Sequence, residues 1–514
     1  MSDSVESIGN NAFDGCKGLE NIVLSTNLKS IGDSMFNGCN ALKNINIPNS
    51  VQSIGKFAFN YCVGLLTITI PEGVESIGDS AFSGCQDLTS ITIADSVKTI
   101  GKQAFDFCTE LKSITIPKGV ETIGDGAFSR CTVLTTITVS EDNQYFVSDN
   151  GILFDKDKKT LVQYPNGKTD ESYIIPDGVT SIGGGVFYGC SNLKIITIPK
   201  GVVDIGERAF SGCSGLTNIT IPDGVTTIEN NAFSGCSGVS NILIPDGVTS
   251  IGEYAFSSCK NLTNITIPDS VISIGQSAFS STGYYNDSTN WENNVLYIGK
   301  HLIYAKNISG YYRVKEGTLS IADAAFVGCN NLTGITIPGS AKLLPSAMFA
   351  LLPNLKTAHL GNGIKAISKN MFSTCKKLES ITIPNSVTSI EDNAFYACSK
   401  LTKVYYKGTQ EDWNNIKIGT YNTTITKNVI YLPFTKATIS ENKKAFTVTP
   451  INIETGKTVI LSLYDGDKFV ETQKGTYTGE AILFTTVKSY TDAKVFVWND
   501  LKTLIPVCES EIIR

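Results

Sequence analysis

Histidine is almost missing: 514 residues contain two, His301 and His359. That scarcity leaves little material for histidine-rich metal sites or for a nucleophile that needs a thiolate beside an imidazole. No run of five Lys or Arg occurs, and 42 basic residues face 48 acidic ones, for a net charge of −6. A nucleic-acid partner calls for a basic stripe that displaces phosphate counterions, so that class is excluded. No stretch of about eighteen apolar residues exists to span a membrane as a helix. Neither G-x-S-x-G, H-E-x-x-H nor a phosphate-cradling glycine loop is present, so nothing points to catalysis or to a cofactor. The opening MSDSVESIG lacks the apolar middle of a signal peptide and starts partway through a repeat. The expectation is the trimmed core of a longer chain, its export information removed.

What is abundant is repetition. "LTNITIPDGVTTIENNAFSGC" (216–236) is followed by "VSNILIPDGVTSIGEYAFSSC" (239–259), and the phase recurs every 23 residues. The same position is held by Gly9, Gly32, Gly55, Gly78, Gly101 and Gly124. It returns at Gly183, Gly206, Glu229, Gly252 and Gly275, then at Ala322, Pro345, Ser368 and Glu391. A 20–29-residue period carrying L-x-x-L-x-L is the mark of a leucine-rich repeat. "ITIP" alternates β-branched apolar and polar residues, which predicts a short strand with Ile inward. Proline ends it, and Asp-Gly or Asn-Ser turns the chain. "SIGDSAFSGC" has apolar residues three and four apart, which predicts a short helical or 3-10 segment opposite. One coil cannot bury its Leu, Ile, Val and Phe, but a stack of coils can. The expected fold is a right-handed leucine-rich-repeat solenoid with a parallel sheet on its concave face. Seventeen coils at ~4.8 Å each would extend roughly 80 Å.

The rhythm breaks twice. "NGILFDKDKKTLVQYP" (150–165) and "NNVLYIGKHLIYA" (293–305) read as strand, polar turn, strand, and predict hairpin-bearing variant turns at about 140–175 and 283–318. "VYYKGTQEDWNNIKIG" (404–419) departs from the repeat, and Trp413, Ile416 and Ile418 are positioned to cap the array, at about 403–432. Residues 1–432 are thus assigned to the solenoid. From 433 to 514, short strands such as "AFTVTP" and "TVILSLYDGDKFVET" predict a small antiparallel, immunoglobulin-like β-sandwich.

Thirteen of the fourteen cysteines share one phase of the repeat, and Cys508 stands apart. Stacked coils bring neighbouring thiols to ~5 Å, within disulfide reach, but parallel side chains oppose the ~90° dihedral a bridge requires. Thr282 and Leu352 occupy the same phase. A place that accepts Cys, Thr or Leu is one that fills a small buried space. One cysteine per coil gives none of the C-x-x-C clustering of zinc sites.

Function therefore falls to the surface. The outward residue of each strand forms a candidate binding stripe: Thr69, Thr92, Thr115, Thr138, Thr197, Thr220, Thr266, Thr336, His359 and Thr382. Threonine also suits any exposed strand position, so the column has a purely structural explanation beside the functional one. An ice-binding array is disfavoured by the interruptions at Asn46, Leu243 and His359. Tyr284, Tyr285, Trp291, Tyr297 and Tyr304 cluster at the second insertion as candidate aromatic contacts, since aromatic residues are enriched in binding hot spots. Covering the hairpin is their alternative role.

The phrase "LTxITIPDGVTSIGxxAFSGC" resembles the repeat of the BspA-like leucine-rich-repeat surface proteins over roughly residues 5–405. "DNGILFDKDKKTLVQYP" is similar to that family's variant turn and "VYYKGTQEDWNNIKIG" to its terminal segment. "AKVFVWNDLKTLIPV" is similar to small β-modules that end secreted Gram-positive proteins. The resemblance implies a secreted or cell-surface adhesion protein, non-catalytic, that binds host extracellular-matrix or surface proteins such as fibronectin or fibrinogen. A glycan-binding accessory module of a surface carbohydrate-processing system is the alternative. A monomer is expected.

Overall fold

Each 23-residue phrase closes one coil, and every coil donates its backbone to the next. In this computed structural model, residues 1–427 are described without a break. Beyond them 429–432, 434–439, 445–453, 455, 457–465, 468–486, 488–490, 492–498 and 511–513 are described. The chain divides into two compact units, Met1–Glu292 with Leu296–Ile303, and Asn293–Val295 with Tyr304–Arg514.

In the first unit the "ITI" segments form parallel strands in register: Thr67–Ile70 pairs with Ser90–Ile93, and Ser113–Ile116 with Thr136–Val139. Alternation puts Ile68 and Ile70 in the core and Thr67 and Thr69 in water. The solenoid and its inward isoleucines are as the sequence predicts. The opposite side of the coil differs. "SI" and "TI" make a second parallel ladder of two-residue strands, Ser30–Ile31, Ser53–Ile54, Ser76–Ile77, Thr99–Ile100 and Thr122–Ile123. The segment expected to be helical is instead a run of hydrogen-bonded turns. Its residue two places after the glycine is left-handed, with φ of 53° at Ser34, 55° at Phe57, 54° at Ser80 and 55° at Gln103. A right-handed helix cannot pass through such a residue. The freed N–H groups reach the next coil: Phe36 N donates to Ala58 O at 2.8 Å and Phe59 N to Ala81 O at 2.7 Å. Apolar three-and-four spacing was thus a record of which turn residues face inward.

The core is columnar. Phe36, Phe59, Phe82, Phe105 and Phe128 stack at centroid distances of 5.1–5.7 Å, all fully buried. Each such side chain contributes about 1.5–3 kcal/mol of burial free energy. The cysteines form a parallel column with a role that packing alone did not predict. Cys62 Sγ donates to the carbonyl of Phe36 in the preceding coil at 3.0 Å, and the same bond recurs from Cys85, Cys108 and Cys131 at 3.1–3.2 Å. Thr282 satisfies the equivalent carbonyl, Phe279 O, within its own coil at 2.9 Å. Leu352, buried at the same phase, has no donor, so the bond is a feature of most coils and burial is common to all of these positions except Cys16. Along the rim, Asp33 Oδ1 accepts from Lys56 N at 2.7 Å and Asp79 Oδ1 from Lys102 N at 3.0 Å, one coil stapled to the next.

The first insertion is a meander built into the second ladder. Phe146–Asp149 and Ile152–Asp155 pair antiparallel, as do Ile152–Asp155 and Thr160–Gln163, whose far edge pairs parallel with Ser181–Ile182. Asn143 pins its start, donating to Pro117 O and Val120 O and accepting from Tyr145 N and Phe146 N. Arg130 links the coils on either side of it: Nε donates to buried Asp106 at 2.9 Å while the guanidinium lies 5.1 Å from the Phe107 ring and 5.0 Å from Tyr188. The second insertion supplies strands Val295–Ile298 and His301–Ala305.

In the second unit, Gly310–Arg313, Leu332–Ile337, Thr357–Leu360, Ser380–Pro384, Lys403–Lys407 and Val429–Tyr431 form one parallel sheet. The terminal segment folds as a short helix, Gln410–Asn414, with Thr409 and Asp412 making a capping box. Its Trp413 is buried edge-on to Tyr406 at 5.1 Å, and Ile416 is buried with it. Further on, a three-stranded and a four-stranded antiparallel sheet share a core of Phe446, Val448, Val459, Leu461, Leu463, Phe484, Ala493, Val495 and Val497. Cys508, and Gly466 and Asp467 within "TVILSLYDGDKFVET", lie outside the described residues.

Candidate functional site

Strand pleating decides what the array can offer a partner. Residues two apart share a face, so each strand presents two outward columns, and parallel register aligns them from coil to coil. Thr69 stands beside Thr92, and Thr115 beside Thr138, whose hydroxyls share a hydrogen bond of 2.8 Å. Thr69, Thr92, Thr115, Thr138, Thr197, Thr220 and Thr266 are all exposed. Asn241 and Asn264 lie in the neighbouring column. Three apolar residues interrupt these hydroxyls and amides: Ile174 at 73% exposure, Ile195 at 53% and Leu243 at 67%. Ile174 and Ile195 went unrecognised in the sequence because each stands where neighbouring coils carry Thr or Asn. Carrying the outward register through "YIIP" and "KIITIP" finds both.

The stripe changes character in the second unit. Arg313, Thr336, His359, Thr382 and Tyr405 occupy one column in register. His359 is exposed as expected, but Thr336 is half-buried and Thr382 is buried, 7% exposed, with His359 and Tyr405 on either side. Large neighbours on adjacent strands hide a small residue between them.

The aromatic cluster at the second insertion is largely turned on itself. Tyr284, Tyr285, Trp291, Tyr297 and Tyr304 are all half-buried. Tyr284 Oη donates to Tyr297 O at 3.0 Å, and Trp291 Nε1 donates to Tyr285 O at 2.7 Å. The Tyr285 and Trp291 rings meet edge to face at 5.2 Å. These rings fasten the loop that carries them. Tyr311, a few residues later, is the ring that stands out, 51% exposed.

Nucleophilic groups are kept from solvent. Twelve of the described cysteines are buried and only Cys16, in the first coil, is exposed. Burial pushes the thiols of Cys62, Cys259, Cys375 and Cys398 up to about 12. A thiol so held is a packing group rather than a nucleophile. His301 is fully buried, and burial lowers its pKa below the usual histidine value against the pull of Asp269. Among the described residues no three of His, Cys, Asp and Glu gather as a metal site. None of the described helices is long and apolar enough to cross a membrane.

The repeats match the family model described as BspA type leucine rich repeat region (6 copies), over residues 1–66, 30–150, 166–286 and 296–425. No curated protein matches the chain. Among solved structures, a leucine rich cell surface protein of Faecalibacterium prausnitzii A2-165 is 27% identical, over 81% of this chain and 80% of that one, with a TM-score of 0.35. The pneumococcal vaccine antigen PcpA is 22% identical over 84% and 78%, with a TM-score of 0.42. A leucine-rich repeat protein from Eubacterium ventriosum ATCC 27560 is 23% identical over 79% and 87%, with a TM-score of 0.33.

Proposed function

This chain belongs to the BspA-type leucine-rich-repeat family, and from that premise we propose that it is a non-catalytic adhesion protein of the cell surface or extracellular space. Its partner is a host matrix or surface protein, held along the outward strand face. The observation that carries this reading is the set of exposed outward threonines of the first unit, Thr69, Thr92, Thr115, Thr138, Thr197, Thr220 and Thr266, with exposed Ile174 and Leu243 in line with them and Ile195 in the neighbouring column. Uncharged hydroxyls and amides interspersed with a few apolar side chains resemble the mixed composition of ordinary protein–protein interfaces. An extended repeat surface collects many such weak contacts over a large area.

The test is binding of the intact chain to immobilised fibronectin and fibrinogen, compared with a Thr115→Arg, Thr138→Arg chain. Both sites are exposed strand positions, so stability should move by no more than about 0.5 kcal/mol each. Two unpaired charges in the contact should weaken binding by about tenfold or more. Unchanged affinity for a protein that the wild-type chain binds would remove the stripe from the interface.

A further inference from the structure

Two stretches of the repeat sequence carry opposite net charge. Residues 1–303 hold 18 Lys and Arg against 31 Asp and Glu, whereas residues 304–432 hold 14 against seven. The overall net of −6 conceals this. Within the basic portion, Gly310–Arg313 leads the parallel sheet of the second unit. Tyr311 pairs with Gly334, which stands in a column otherwise filled by Thr357, Ser380 and Lys403. A Cβ added at Gly334 would run into the Tyr311 ring. The tyrosine therefore lies across the bare backbone, and its hydroxyl is tied to the hydroxyl of Thr336. One ring face rests on the sheet while half of the side chain stays in water.

Around this plate the polar groups are varied. Arg313, two residues on, shares the outward face and is exposed. The His359 ring stands 6.4 Å from the Tyr311 ring, tilted by 54°. Exposed Lys356 and Lys403 lie about two and four strands away, roughly 10 and 19 Å at ~4.8 Å per strand. Exposed Glu379 stands between them.

We propose that Tyr311, seated over Gly334 and flanked by Arg313 and His359, is a subsite for an acidic polysaccharide, the ring stacking on the C–H face of a uronic-acid unit whose carboxylate meets Arg313. An open aromatic face offers area to a flat, weakly apolar ring. The surrounding cations supply a charge-assisted contact and complement a chain of carboxylates. A glycan strand also suits a shallow parallel sheet, because it needs no pocket. The site is separate from the threonine column of the first unit and does not depend on that column binding a protein.

The experiment titrates the full chain with hyaluronate and polygalacturonate oligosaccharides, with neutral dextran oligosaccharides, and with polyglutamate. At least one uronate polymer should bind, more weakly as salt rises, while dextran should not. Tyr311→Ala should weaken it by about tenfold, and Tyr311→Phe, which keeps the ring face, by no more than about threefold. Gly334→Thr should weaken it by lifting the ring off the sheet, and Arg313→Ala by removing the carboxylate partner. Tyr145→Ala, at a ring exposed to a similar degree in the first unit, should change nothing. The melting temperature of each variant separates loss of the site from loss of the fold. Should Tyr311→Ala misfold, the exposed Arg313→Ala decides alone. No binding of either uronate polymer would overturn the proposal. So would binding indifferent to Tyr311, or polyglutamate binding as tightly and with equal indifference, which would mark a charged protein as the partner. Protein binding lost through Thr115→Arg, Thr138→Arg leaves this test untouched.

Discussion

The buried sulfur column can be tested by its silence. The perturbation is exposure of the folded chain to dithiobis-nitrobenzoate, using Cys508→Ser so that only thiols of known position remain. At about pH 8 an ordinary thiol is roughly one-quarter ionised, and one held near 12 is about 10⁻⁴ ionised, a difference of about two thousandfold before access is considered. Cys62, Cys259, Cys375 and Cys398 are in the second state through burial, and Cys85, Cys108, Cys213 and Cys236 are pushed well above the ordinary value by the same cause. Reagent reaches none of them without opening of a coil. The expected time course is one rapid equivalent, from exposed Cys16, followed by the other twelve only when denaturant unfolds the array. Intact mass before and after reduction should be identical, since bridges would shift it. A second rapid equivalent in the native chain, or a mass deficit that reduction restores, would refute the assignment of these sulfurs to packing.

Two further outcomes follow from the same packing. Phe105→Ala removes a fully buried ring stacked at 5.4 Å on Phe82 and 5.7 Å on Phe128, and should cost about 3–5 kcal/mol. Because coils couple mainly to their neighbours, hydrogen exchange should accelerate most around Phe82 and Phe128, and a loss under about 1 kcal/mol would contradict the stacked core. His301 is kept neutral by burial, its folded pKa below 6.5. The unfolded chain therefore takes up the proton first as pH falls. Stability present above 6.5 should decline as pH drops below that value, and His301→Phe should flatten the slope. An identical slope in the two chains, measured by thermal melts from neutral to mildly acidic pH, would exclude His301 as the titrating group.

The limits of sequence reading follow from where each contact lies. Repetition at 23 residues names the inward Ile, Val, Phe and Cys without ambiguity, because a coil that cannot exclude water alone must present the same face to each neighbour. The insertions and the Trp413 segment stand out in the sequence for the same reason, as departures from that phase. The outer segment misled because apolar spacing reports burial rather than backbone conformation. Ser34, Phe57 and Ser80 adopt left-handed φ with no side-chain signature that demands it. The candidate stripe was readable where coils are regular, at Thr69 or Thr115, and blurred where a neighbour's size governs exposure, at Thr382.

The sequence by itself thus determined the period, the composition of the core column and the places where the rhythm stops, since these depend on residues that recur along the chain. Tertiary structure alone decided that cysteine thiols bond to the preceding coil's carbonyls, that the rings of Tyr285 and Trp291 face each other, and that Tyr311 lies open across Gly334. The first and third arise between successive coils, where stacking register sets which groups meet, and the second within one loop, between residues far enough apart that only its folded path brings the rings together.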